Sequence, residues 1–154
     1  MICSLEDFIT LRSGLKKKGV KVVFTNGCFD ILHRGHVEYL NQAKALGDFL
    51  IIGLNSDSSV KKLKGDSRPV NTENDRAYIL SNLFAVDCVV IFTEETPYEI
   101  ISKILPDVLV KGGDWKAEDI VGSDVVIKNG GMVKSLKYVN NYSTTGLINK
   151  ISSR

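Results

Sequence analysis

The segment from Val22 to His36, VVFTNGCFDILHRGH, restricts the possible folds of this chain more than any other. Its β-branched run from Lys21 to Thr25 is what a strand covered on both faces requires. The run breaks at Gly27 and delivers His33 and His36, separated by Arg34-Gly35, to an expected helix start near Gly35. The first amides of a helix are unpaired and its macrodipole is positive there, so such a start attracts anions. Both histidines of the whole chain lie in this one turn. Phosphate chemistry is therefore the first expectation, against the plainer reading of a strand–loop–helix junction with two surface histidines.

A strand followed by a helix and a second buried strand, Phe49–Leu54, makes a β-α-β unit and hence a parallel pairing. The helix from Gly35 to Leu46 is expected to bury Val37, Leu40 and Ala43. Before this unit, Ser4 caps a helix carrying Leu5, Phe8, Leu11 and Leu15 and closing at Lys16-Lys17-Lys18-Gly19. After it comes the basic segment Lys61-Lys62-Leu63-Lys64-Gly65, then the loop Asp66–Asn71. Thr72 caps a helix expected to bury Ile79, Leu80, Leu83 and Phe84, and Cys88–Phe92 is a third strand. Thr96-Pro97-Tyr98-Glu99 reads as a capping box ahead of Ile100, Ile101 and Ile104. Val108–Val110 is a fourth strand, Ala117–Lys128 a short helix, Met132–Leu136 an edge strand, and Ser143 opens a last helix through Leu147, Ile148 and Ile151. Alternation of this kind predicts a single α/β domain over residues 1–154. It has three layers, Rossmann-like, around a mainly parallel five-stranded sheet, with an N-terminal helix over 1–19 and a core over 20–151. Ligands of such sheets lie at the carboxyl ends of the strands, where the histidine turn, the lysine segment, Gly112–Trp115 and Ser143–Thr145 are expected to meet.

Composition narrows the function classes. A chain of 154 residues buries a core without staples, and its net charge of +2 is too small to argue for a nucleic-acid or membrane partner. No apolar run approaches the roughly 20 residues of a membrane span, and the acidic N-terminus is no signal peptide. Three cysteines far apart in sequence suit reduced thiols, and no Cys or His spacing resembles a metal site. A cytoplasmic domain is expected. The common dinucleotide and P-loop glycine patterns are absent.

The run Gly27-Cys28-Phe29-Asp30-Ile31-Leu32-His33-Arg34-Gly35-His36 closely resembles the signature of the cytidylyltransferase-like nucleotidyltransferases, with its H-x-G-H motif. In nucleotidyl transfer a substrate phosphate attacks the α-phosphorus of a nucleoside triphosphate and expels pyrophosphate, so the catalyst mainly aligns groups and stabilises charge. His33 and His36 then act as charge-stabilising donors, and Gly35 allows close approach to a phosphate. Cys28 has no third histidine to activate it as a nucleophile; with Phe29 it falls where the resemblance implies loop contacts to the nucleotide. Lys61 and Lys64 lie one helical turn apart, and the resemblance implies that such lysines bind phosphate. Arg68 and Arg76 are further phosphate candidates, Arg76 equally one for locking the fold. By the same resemblance Gly112 and Asp114 contact nucleotide, and Ser143, Thr144 and Thr145 bind the β and γ phosphates. Mg2+ is expected to accompany the triphosphate, with no carboxylate cage in the chain.

Within the family, Asn55-Ser56-Asp57, Val60–Gly65, Ser67-Arg68-Pro69-Val70-Asn71 and Leu105–Asp114 are similar to the adenylyltransferase part of ADP-heptose synthases. That similarity implies transfer of AMP from ATP to a sugar 1-phosphate, heptose 1-phosphate, for lipopolysaccharide cores. It further implies a free-standing enzyme without a kinase part, and a homodimer, for which Tyr138–Tyr142 and the Leu32 and Val37 face are candidate surfaces. The rival branch, glycerol-3-phosphate cytidylyltransferase, carries R-T-E-G-I-S-T-T, whose arginine is Tyr138 here. Outside this class stand a catalytically silent nucleotide-binding regulatory module and a flavodoxin-like redox protein using Cys28.

Overall fold

The computed structural model describes residues 1–137 and 142–153. Five strands form one wholly parallel sheet in the order β3-β2-β1-β4-β5: β1 Val22–Gly27, β2 Phe49–Asn55, β3 Cys88–Phe92, β4 Val108–Gly112 and β5 Met132–Leu136. The chain steps outward from β1 to β3 and then returns to lay β4 beside β1. That reversal opens a crevice above the carboxyl ends of β1 and β4.

Period-2 alternation along the strands sorts the core into two halves. Val23, Leu50, Ile52, Val89 and Val110 pack under α2 (Arg34–Lys44) and α4 (Glu73–Ser81) with Tyr39, Leu40, Ala43, Ala77 and Leu80. Val22, Phe24, Ile51, Val90 and Leu109 pack on the other face against Phe8 of α1 (Leu5–Lys17), the isoleucines of α5 (Tyr98–Ile104) and Val126 of α6 (Ser123–Lys128). Helix starts are set locally: Ser4, Thr72 and Ser143 each accept a backbone N–H three residues on.

The basic segment ends α3 (Asp57–Lys64), capped by Ser56, in keeping with the one-turn spacing of Lys61 and Lys64. Several other local expectations are corrected. Thr96 forms no capping box; α5 begins after Pro97 without a side-chain cap. The expected helix Ala117–Lys128 is split into a 3-10 turn, Ala117–Asp119, and α6, because Gly122 takes φ +85 between them. Val37 and Ile79 face water, and Phe84 is 105% exposed because α4 stops at Ser81 and the chain turns before it. Ile151 is also exposed. Arg12, on the core-facing side of α1, is buried: it donates to the Ile104 and Leu105 carbonyls and pairs with Asp107 at 3.0 Å. All three cysteines are free thiols, yet Cys3 and Cys88, distant in sequence, meet with sulfurs 2.9 Å apart. The segment Tyr138–Asn141, which holds most of one candidate dimer surface and the position of the rival branch's arginine, lies outside the described residues. Among the described residues, no helix is long and apolar enough to cross a membrane.

Candidate functional site

A cavity of about 580 Å³ opens at the carboxyl ends of β1 and β4. Its floor is Asn26, Gly27, Lys111 and Gly112; the histidine turn and the start of α7 (Thr144–Ser152) form its walls. Cys28 and Phe29 continue from β1, and Lys64 and Arg68 close the side next to β2. Ser143, Thr144 and Thr145 line it opposite, as expected. Thr144 Oγ1 donates to the Ile31 carbonyl at 3.2 Å, which ties the start of α7 to the histidine turn. Two helix N-termini thus face one space, each contributing unpaired amides and a positive dipole end.

The histidine turn is tightly determined. Phe29 has φ +45, a left-handed conformation that is costly for a side-chain-bearing residue and tends to mark functional loops. Its ring folds back over Gly27, where a Cβ would stand 2.9 Å from Phe29 Cε2, so a side chain at this position would push the ring away. His33 is the N-cap of α2: the His36 amide donates to its carbonyl at 2.9 Å and more weakly to its Nδ1 at 3.4 Å. With Nδ1 as acceptor, the proton of neutral His33 resides on Nε2. The two imidazoles stack with centroids 3.8 Å apart and planes 15° from parallel, and Phe29 meets His36 edge-on at 5.3 Å. The close approach at Gly35 is to this stack: a Cβ there would lie 3.0 Å from Tyr142 Cβ and 3.2 Å from the His33 ring.

Burial first, and the neighbouring His33 second, pull His36 from 6.5 to about 4, and burial also lowers His33. His36 is therefore neutral at pH 7, with its buried Nδ1 lacking a partner among the described residues. The unfolded chain takes up this proton near pH 6.5 and the folded one only near 4, so between those values the unfolded state binds more protons and stability rises with pH. Acidification from pH 7 to pH 4 is expected to cost about 2 kcal/mol from this residue, after allowance for its partial solvent contact. The loss should be measurable as a urea-midpoint shift that is absent in His36→Ala.

The expected arginines divide. Arg68 lines the cavity with Nε 2.6 Å from Asp30, whose other oxygen accepts from the Val70 and Asn71 amides. Burial works to raise the Asp30 pKa, but those amides and the Arg68 guanidinium outweigh it and hold it below the usual carboxylate range. Arg76 is 1% exposed and does not line the cavity. It donates to the carbonyls of Asn71, Cys28 and Asn55 and pairs with Asp57 at 2.7 Å, the contacts that a fold-locking role would make. Lys61 and Asp114 are exposed and stand outside the cavity wall, whereas Lys64 lines it. Burial raises the Cys28 thiol above its ordinary value, which disfavours a reactive thiolate.

Sequence reasoning missed Asn26, Asp30, Tyr39, Lys111 and Tyr142 as cavity residues. Asp30 and Lys111 lay inside stretches already singled out, but the partner of the first is far along the chain and the burial of the second is a tertiary property. Among the described residues, no group of three His, Cys, Asp or Glu is placed to hold a metal ion. Such a site can bind and polarise a chain of phosphates and align an attacking anion, using donors rather than a general base.

Comparison with known proteins gives a consistent picture. A family model described as Cytidylyltransferase-like matches residues 24–150. Bifunctional protein HldE of Shewanella amazonensis is 58% identical over 99% of this chain and 32% of that protein. The protein of the same name from Wolinella succinogenes is 57% identical over 97% of this chain and 31% of its own length. This chain thus spans about a third of the length of the curated relatives it matches. Among solved structures, a lipopolysaccharide core biosynthesis protein from Thermoplasma volcanium is 30% identical with TM-score 0.63, covering 81% of this chain and all of that one. A pantoate-beta-alanine ligase from Francisella tularensis shares the fold at 16% identity and TM-score 0.61, over 100% of this chain and 78% of that one.

Proposed function

Because the chain belongs to the cytidylyltransferase-like family, we propose that it transfers AMP from ATP to heptose 1-phosphate, forming ADP-heptose and pyrophosphate for lipopolysaccharide core synthesis. The observation that carries the reaction type is the stacked His33–His36 pair at the start of α2, lining one cavity together with the start of α7. The choice of acceptor rests on similarity to the adenylyltransferase part of ADP-heptose synthases and on the solved relative named for lipopolysaccharide core biosynthesis.

In the proposed step an oxygen of the sugar phosphate attacks the α-phosphorus, the bond to the β-phosphate oxygen breaks, and its electron pair leaves with pyrophosphate. The acceptor phosphate is already ionised near neutral pH, so no strong base is required. His33 Nε2–H and the His36 imidazole donate to α-phosphoryl oxygens as charge develops there. The amides at the start of α7 hold the β and γ phosphates, with Ser143 and Thr144 shaping that turn, and Lys64 and Arg68 lie beside the incoming phosphate. Lys61 and Asp114, outside the wall, are assigned no contact.

Mg2+ would arrive on the triphosphate and supply charge neutralisation there, with phosphate oxygens as its main ligands. Asp30 is the one carboxylate among the described residues lining the cavity, and both its oxygens are engaged. The described residues lining the cavity therefore include no free carboxylate for the ion, and no step is assigned to it. We further propose a single catalytic domain working as a homodimer in the cytoplasm, a setting with which three free thiols agree.

A panel of ATP, CTP, GTP and UTP against several sugar and polyol phosphates, scored by pyrophosphate release, tests this function. The highest turnover is expected for ATP with heptose 1-phosphate. Preference for CTP with glycerol 3-phosphate would overturn the choice of substrates. Tight ATP binding without turnover on any phosphate would leave a silent module.

A further inference from the structure

Among the described residues three cations line the cavity besides the histidines, and they are not equivalent. Arg68 is already neutralised by Asp30. Lys64 is exposed at the last residue of α3, where water and the negative end of the helix satisfy its charge. Lys111 is half-buried at the end of β4, and no carboxylate among the described residues lies within ion-pair distance of it. Its ammonium, with three donors, reaches Asn26 Oδ1 at 3.5 Å, the outer limit of a hydrogen bond, as its one such contact among the described residues.

Withdrawing an ammonium from water without a counter-ion is unfavourable. Burial accordingly pushes Lys111 below its ordinary value, with the nearby Cys28 acting in the opposite direction. A phosphate entering the cavity would supply the missing charge. The sheet order sharpens this placement: β1, which leads to the histidines, lies between β2, which leads to Lys64, and β4, which ends at Lys111. Cations therefore approach the histidine turn from both neighbouring strands.

We infer that Lys111 is a phosphate-holding residue of the transfer reaction, gripping a substrate phosphate from the β4 side opposite Lys64. The inference rests on the proposed nucleotidyl transfer. The phosphate belongs either to the triphosphate or to the acceptor, and the arms of the test tell these apart.

The chain carrying Lys111→Met is compared with wild type by calorimetric titration with ATP and with inorganic pyrophosphate, and by KM for heptose 1-phosphate. Lys111→Gln, which keeps a polar end beside Asn26, is the second neutral variant. Loss of a charge-assisted contact should weaken one of these constants by roughly 10- to 100-fold, and Lys111→Arg should restore most of it. A change in ATP and pyrophosphate binding assigns the triphosphate; a change confined to the KM assigns the acceptor. Wild-type turnover with every constant of the neutral variants within about twofold would overturn the role while leaving the proposed reaction intact. If wild type releases no pyrophosphate with any pair, the proposed reaction fails, and ATP and pyrophosphate affinity alone decide the role of Lys111. Should neither neutral variant fold, acylation of wild-type Lys111 read by peptide mass decides instead. Protection by ATP or by sugar phosphate supports the assignment, and unchanged labelling removes it.

Discussion

His36→Ala is expected to lower kcat by roughly 10²- to 10³-fold, the effect of removing one donor from a developing oxyanion, or about 3–4 kcal/mol. Its KM for ATP should change much less, because the contact strengthens as charge builds in the transition state. Folding should be nearly unaffected at pH 7, since the ring is neutral there and its buried Nδ1 has no partner among the described residues. His33 needs a different substitution. It caps α2 through Nδ1, so alanine would remove both a cap and a donor. His33→Asn keeps an acceptor for the His36 amide while deleting the Nε2 donor, and should match His36→Ala in kcat with wild-type stability. Turnover within about threefold of wild type in both variants would remove the histidines from the mechanism.

The largest expected loss of stability follows Arg76→Met. The guanidinium is buried between loops that come together only in the folded chain: the Cys28 carbonyl after β1, the Asn55 carbonyl at the end of β2, the Asn71 carbonyl before α4, and the Asp57 carboxylate at the start of α3. Methionine has similar volume and no donor, so three carbonyls and a carboxylate lose their partner at once. The cost of breaking such a buried pair is about 3–5 kcal/mol, read as a fall in the urea midpoint with an unchanged slope. Lysine, with one nitrogen instead of a planar fork, should recover only part of it. A midpoint within the error of wild type would mean that these hydrogen bonds contribute little. Because Arg76 holds Cys28 and Asn55 together, the variant should also lose activity under conditions where it remains folded, through displacement of the loop bearing Phe29 and His33.

Much of this molecule was legible locally. Strands β3 and β5 fall on the expected residues, and the helix starts at Ser4, Thr72 and Ser143 were recognisable because capping is a contact across three residues. The failures have the opposite cause. Phe84 reads as core only if α4 continues past Ser81, and a helical pattern does not reveal where the chain turns away. The pattern over Ala117–Lys128 gives no sign that Gly122 takes a positive φ and interrupts the helix. The sequence leaves Arg76 open between a phosphate contact and a fold lock and does not mark Arg12 at all, since a buried guanidinium is recognisable only through carbonyls from distant segments.

By itself, the sequence determined the parallel alternation of strands and helices and the placement of two histidines at a helix start. Both are fixed by β-branched runs, glycine breaks and caps acting over a few residues. Tertiary structure decided which cations stand at the cavity. It turned Arg76 inward onto Asp57, neutralised Arg68 with Asp30, left Lys61 in water, and brought Lys111 beside β1 without a counter-ion among the described residues. The reason is electrostatic: the role of a charge depends on its solvation and partners, and these come from strands adjacent in the sheet but distant in the chain.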